Sequence, residues 1–228
     1  MAEEIRIQFT EELEALQART LDGFEMVIRS LDRTIEAVRD QDIELARQVI
    51  DDDDIIDGRY LEIHQSILTL IATQAPVATD LRLVAALLHT IYSMERMGDQ
   101  CVNIAKLIPV LGHEPPRDEE MLENIFMMGR TVREQIRQCS IAFETRDIRL
   151  ARDLVRMDDV VDTLNRDCFT RAILIGDDPD RREWAMTMIL AARALERIGD
   201  NSVDVGEQVA FVVTGLFNEF EDASHPAQ

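Results

Sequence analysis

Cysteine is scarce in this chain. The three residues, Cys101, Cys139 and Cys168, are an odd number, no two are close, and there is no C-x-x-C pair. That excludes a disulfide framework and a thiolate zinc site, and it leaves them as small apolar fillers in a reducing compartment. Basic charge is short as well: 24 lysines and arginines stand against 45 acidic residues, a net charge of −21. Such a field repels nucleic acid and an anionic membrane surface, and no basic stripe offsets it, so no nucleic-acid partner is expected. A cation is the ligand that this balance favours. No apolar run approaches the ~18–20 residues needed to span a bilayer, so direct membrane insertion is not expected. The opening MAEEIRIQFTEEL is acidic and amphipathic, unlike a secretion signal, and a cytoplasmic location is the expectation. Also missing are alternating β-branched runs, Asn-Gly hairpins, a glycine-rich phosphate loop after a strand, and a nucleophile elbow around serine or cysteine.

What remains is helix. With 228 residues, 46% of them hydrophobic and 30% charged, the chain is long enough for one large core or two smaller ones. Phe24, Ile28, Leu31, Ile35 and Val38 recur at steps of three and four, which lines one helix face. Asp42 and Asp147 stand as N-caps, Pro179 follows Asp178 as a first-turn proline behind a cap, and Pro76 lies near another helix start. PVLGHEPPRDEE, 109–120, is the best linker. The pattern predicts an all-α protein of six long helices, roughly 3–39, 42–73, 76–110, 118–145, 147–176 and 179–215.

The chain repeats itself. DIELARQVIDDDDIID at 42–57 returns as DIRLARDLVRMDDVVD at 147–162, and MERMGDQCVNIA at 94–105 returns as LERIGDNSVDVG at 195–206. Two tandem, pseudo-symmetric three-helix bundles are therefore expected, over 1–112 and 117–217, with a loose tail over 218–228.

Acids interrupt the apolar stripes at matched places. Asp53 breaks Val49-Ile56-Tyr60-Ile63-Ile67-Leu70, and Asp158 breaks its twin around Leu154 and Val161. Glu95 breaks Leu88-Ile91-Gly98-Val102-Ala105, and Glu196 breaks its twin around Ala192 and Val203. Each has a second acid four residues on: Asp57, Asp162, Asp99 and Asp200. Residues four apart share a helix face, where like charges repel, and partial burial raises the cost. A divalent or trivalent cation compensates, since carboxylates from two adjacent helices supply hard oxygens suited to magnesium, manganese, iron or zinc. Gly98 and Gly199 leave room on the same stripe for an ion or its waters. Asn103 and Asp204 extend the line as peripheral ligands, and His64 is a further candidate seven residues after Asp57. Arg96 and Arg197 directly follow the glutamates and so point about 100° away. The plain alternative is that these acids are solvated helix edges, or pair with arginines such as Arg82 from elsewhere.

QAPVATDLRLVAALLHTIYSMERMGDQCVNIAKL and ALERIGDNSVDVGEQVAFVVTG resemble the two signature regions of the PhoU family of bacterial phosphate-uptake regulators. The duplicated E-R-x-G-D, the P-x-A-x-D-L-R of Pro76–Arg82 and the closing V-T-G carry the resemblance, which extends over about residues 10–217. It implies metal clusters on Asp53, Asp57, Glu95 and Asp99, and on Asp158, Asp162, Glu196 and Asp200. It also implies an adaptor without catalytic residues: a negative regulator of the phosphate response, acting between the ATPase subunit of a phosphate ABC transporter and a sensor histidine kinase, and dimerising with itself. The second half departs from the family pattern, because it lacks the P-x-A-x-D-L-R element. Two other functions compete: a carboxylate-bridged metalloenzyme, which needs Glu-x-x-His motifs that none of the four histidines supplies, and a ligand-free helical interaction scaffold.

Overall fold

The computed structural model describes residues 2–220. Helix α1 (Ala2–Asp40), α2 (Ile43–Asp51), α3 (Asp53–Gln74) and α4 (Ala78–Leu107) form the first bundle; α5 (Glu119–Thr145), α6 (Ile148–Leu174) and α7 (Pro179–Thr214) form the second. There are no strands among the described residues.

The expected caps are in place. Asp42 Oδ1 accepts from the Leu45 amide at 2.9 Å, Asp147 Oδ1 from Arg149 at 2.8 Å, and Asp178 Oδ1 from Asp180 at 3.0 Å. Asp118, which the sequence reading did not single out, caps α5 by accepting from Met121 at 3.1 Å. Each satisfies backbone donors that a helix start leaves open.

Two boundaries differ from expectation. The helix expected over 42–73 is broken: α2 ends at Asp51 and α3 begins at Asp53, with Asp52 between them. Asp51–Asp54 are four consecutive aspartates. Aspartate competes with the helical backbone for hydrogen bonds, and a run of like charges weakens a helix further. Arg33 of α1 then holds the break, donating to Asp52 Oδ2 at 2.5 Å and to Gln48 at 3.2 Å. The matching stretch of α6 has Arg156 and Met157 in place of the first two aspartates and runs on unbroken. The helix expected over 76–110 begins at Ala78 and gives way after Leu107 to a 3-10 turn, Pro109–Leu111.

The predicted stripes face inward. Phe24, Leu31, Ile63, Ile67, Ile91 and Leu154 are all fully buried. Within each bundle the helices pack on one another; α4 also packs against α7 and α1 against α5, so a single core runs through both. The linker is tied to the end of α1, where Gln41 Nε2 donates to the carbonyls of Ile108 at 3.0 Å and Gly112 at 2.8 Å. The three cysteines are buried and free, and burial pushes the Cys101 and Cys139 thiols up to about 12.

Most of the tail expected to be loose, 221–228, lies outside the described residues. Phe220 is anchored: it packs on the core, and its amide donates to Glu207 Oε1 at 2.6 Å.

Candidate functional site

All eight candidate acids lie where a helix with a D-x-x-x-D pair meets one with E-x-x-x-D: α3 against α4, and α6 against α7. In the first bundle Asp53 is half-buried at the start of α3. Its carboxyl is pushed up to about 6, first by burial and then by the charges of Asp57 and Asp99. Glu95 on α4 is also raised, first by burial and then by Asp99, with Asp57 and Asp53 adding smaller repulsions. The four acids therefore feel one another across the α3–α4 seam.

The second site is more enclosed. Asp158 is 2% exposed and Glu196 7%. Burial, reinforced by Asp200 and Asp162, pushes the Glu196 carboxyl up to about 7. Asp158 lies against Gly199 on the facing helix, and Gln135 Nε2 of α5 donates to its Oδ1 at 3.1 Å.

The glycines have a different use from the one expected. A Cβ on Gly199 would stand 2.5 Å from Asp158 Oδ1, and one on Gly98 would stand 3.2 Å from Ile56 and 3.6 Å from Asp53 Oδ1. The bare positions admit side chains of the facing helix, so the space is filled by the protein itself. Gly199→Ala must displace Asp158 and is expected to destabilise by about 1–3 kcal/mol. Gly58→Ala on exposed α3, where nothing lies within 4 Å, is expected to stabilise slightly through helix propensity, by roughly 0.5–1 kcal/mol. Thermal unfolding of the pair reads the difference; equal shifts would contradict the close approach at Gly199.

Arginines come nearer than the sequence reading allowed. Arg193, one turn before Glu196, hydrogen-bonds its Oε1. Arg96 stacks over the Tyr92 ring, donates to Asp99 Oδ2 at 3.3 Å and brings Nε to 3.5 Å from Glu95 Oε2. Arg166 Nη1 lies 3.8 Å from Asp162. Even so, Glu95 Oε2 and Glu196 Oε2 are buried with no hydrogen-bond donor. Arg82 donates to Thr79 and packs on Gly215, the left-handed cap of α7.

The outlying candidates point elsewhere. Asn103 is exposed and donates to Gln100 at 3.3 Å. Asp204 is exposed on α7, near His89 and Glu219. His64 packs its ring against Tyr60, centroids 5.7 Å apart. Sequence reasoning missed Arg193 and Gln135. The signal for Gln135 was available: it interrupts the buried seam Met128-Val132-Cys139-Ala142 as the acids interrupt theirs.

The donor set is all oxygen, and two buried carboxylate oxygens lack donors, which fits a hard cation. Among the described residues no three of the acids converge on a single point.

Comparison with known proteins places the chain. A family model described as "PhoU domain" matches residues 21–108 and again 125–209. The chain is 32% identical over 216 residues to the "Phosphate-specific transport system accessory protein PhoU homolog" of Clostridium acetobutylicum, covering 94% of this chain and 98% of that one. The crystal structure of PhoU from Pseudomonas aeruginosa superposes with a TM-score of 0.84 at 28% identity, over 91% of this chain and all of that one. The phosphate transport system regulatory protein PhoU from Streptococcus pneumoniae, at 22% identity over 93% of this chain and 100% of that one, shares the fold with a TM-score of 0.86.

Proposed function

The chain belongs to the PhoU family, and from that premise we propose that it is a regulatory accessory protein of a phosphate transport system whose two acid seams bind cations. The observation that carries the cation reading is the pair of buried, donorless oxygens, Glu95 Oε2 and Glu196 Oε2, at repeat-matched positions. Asp53, Asp57, Glu95 and Asp99 would hold ions in the first bundle, and Asp158, Asp162, Glu196 and Asp200 in the second. Magnesium, manganese, iron or zinc would supply positive charge that neutralises these carboxylates and fastens α3 to α4 and α6 to α7. The chain's own residues set the frame: Gly98 and Gly199 bring the helices close, and Gln135 fixes Asp158. With each seam fastened, the outer helix faces keep one geometry for docking. The partners we propose are the transporter's ATPase subunit and a sensor histidine kinase, with the protein acting as a negative regulator and as a homodimer. No helix among the described residues is long and apolar enough to cross a membrane, which suits a partner that meets a transporter from outside the bilayer.

A second reading, a ligand-free scaffold, draws on the contacts of Arg193 with Glu196 and of Arg96 with Glu95. One experiment separates the two. The Glu95→Gln, Glu196→Gln double variant and the wild type are purified, their bound metal is measured by elemental analysis, and both are melted with and without chelator. Cation binding to the folded state alone must raise stability, by about 2.7 kcal/mol at a hundredfold excess over Kd. The wild type is expected to carry metal and to lose melting temperature in chelator, and the variant to do neither. Equal metal content and identical melting would leave the scaffold. Capture of the ATPase subunit by wild type and variant tests whether docking depends on the fastened seams.

A further inference from the structure

Gln135 is fully buried on α5, the one helix of the second bundle that carries none of the eight acids. Its Nε2 donates to Asp158 Oδ1 at 3.1 Å. Nε2 is thus the end of the amide that serves Asp158, which leaves Oε1 for another partner. That Oε1 is buried and has no hydrogen-bond donor. Relative to a Cβ on Gly199, Gln135 Oε1 would lie 3.1 Å away and Asp158 Oδ1 2.5 Å. Amide and carboxylate thus meet over the bare position on α7 between Glu196 and Asp200.

The first bundle has no such group. The repeat places Ser30 of α1 where α5 has Gln135. Ser30 is only partly buried, and it lines a groove of about 210 Å³ together with Arg29, Arg33 and Asp52. At the repeat-matched position the first bundle thus has a hydroxyl beside a groove bordered by Asp52, whereas the second has an amide bonded to its site aspartate.

Resting on the reading that the acid seams hold cations, we propose that Gln135 is a third-helix member of the second site. Its Nε2 positions Asp158, and its Oε1 is a neutral oxygen ligand for a hard divalent cation. The two sites are therefore unequal, and the second binds the more tightly.

The test titrates Mn²⁺ alone into the chelator-stripped full chain by calorimetry. E196Q identifies which binding class belongs to the second bundle. Q135M keeps the volume of the side chain and removes both polar atoms. The wild type is expected to show two classes, the tighter one lost in E196Q. Q135M should weaken that class by about 10–100-fold, the usual effect of losing a supporting group at a metal. The weaker class should keep its affinity. If both classes keep their affinity in Q135M, whatever its metal-free melting temperature, the proposal is overturned, with the cation reading intact. If the wild type binds no Mn²⁺, both fall together. Should Q135M not fold, Q135N, which retracts the amide by one methylene, gives the same readout.

Discussion

Replacing Glu196 with glutamine is expected to stabilise the metal-free protein at pH 8. Glutamate is ordinarily half-ionised near 4.5, and burial lifts this carboxyl to about 7, with Asp200 and Asp162 adding repulsion against the pull of Arg193 and Arg197. Between those two pH values the folded chain keeps a proton that the unfolded chain has released. Stability therefore falls as pH rises through that window and stays low above it. At 1.36 kcal/mol per unit, the cost is on the order of 3 kcal/mol. Glutamine carries no charge to desolvate, so E196Q should melt higher than wild type by roughly 5–10 °C at pH 8 in chelator. Near pH 4.5 the two should converge. Saturating Mn²⁺ should reverse the ranking, because only the wild type keeps a full carboxylate set. An E196Q that melts below wild type at pH 8 without metal would mean that Arg193 already neutralises Glu196, and the case for a cation there would lose its support.

The opposite sign is expected at Asp118. This residue, 5% exposed, caps α5 and accepts two hydrogen bonds from Arg171 of α6, at 2.9 and 3.0 Å; Arg181 of α7 stands 3.6 Å away. One carboxylate thus joins the ends of all three helices of the second bundle. Arg171, followed by the Met121 amide, holds it below the usual carboxylate range against the effect of burial. The stabilisation is present above the ordinary value near 3.8 and is lost as pH falls through the lower folded value. Asp118→Ala removes the cap and leaves Arg171 without its carboxylate. The expected cost is about 3 kcal/mol, the low end for a broken buried pair, because Arg171 is one-third exposed and screened. Asp118→Asn keeps a cap acceptor and should cost less. Urea unfolding at pH 7 and pH 3.5 checks both: the gap between wild type and D118N should shrink at the lower pH. A pH-independent gap would show that capping alone, without charge, accounts for Asp118.

Much of the molecule was legible in one dimension. Steps of three and four placed Phe24, Leu31, Ile63 and Ile91 in the core, and aspartates before apolar runs marked three helix starts, because both signals depend on neighbours within one turn. The acids were legible for the same reason, since a carboxylate in an apolar seam is a local contradiction. The break at Asp52 was not, because it needed the run of aspartates and also Arg33 arriving from α1. Nor was the choice of counter-charge. Arg96 and Arg197 stand beside the glutamates in sequence, whereas Arg193 reaches Glu196 by lying one turn away on the same face.

Composition, periodicity and an internal repeat thus determined an all-helical, twofold-repeated chain with carboxylates on its inward seams, and the motif pair determined its family. Tertiary structure alone decided that the bare glycines admit an aspartate and an isoleucine from the facing helix, that Gln135 of a third helix closes on Asp158, and that both bundles share a core. The physical reason is range. Helix formation and amphipathicity are fixed by residues within a turn or two, whereas the surroundings of a buried charge are fixed by whichever side chains other helices bring to it.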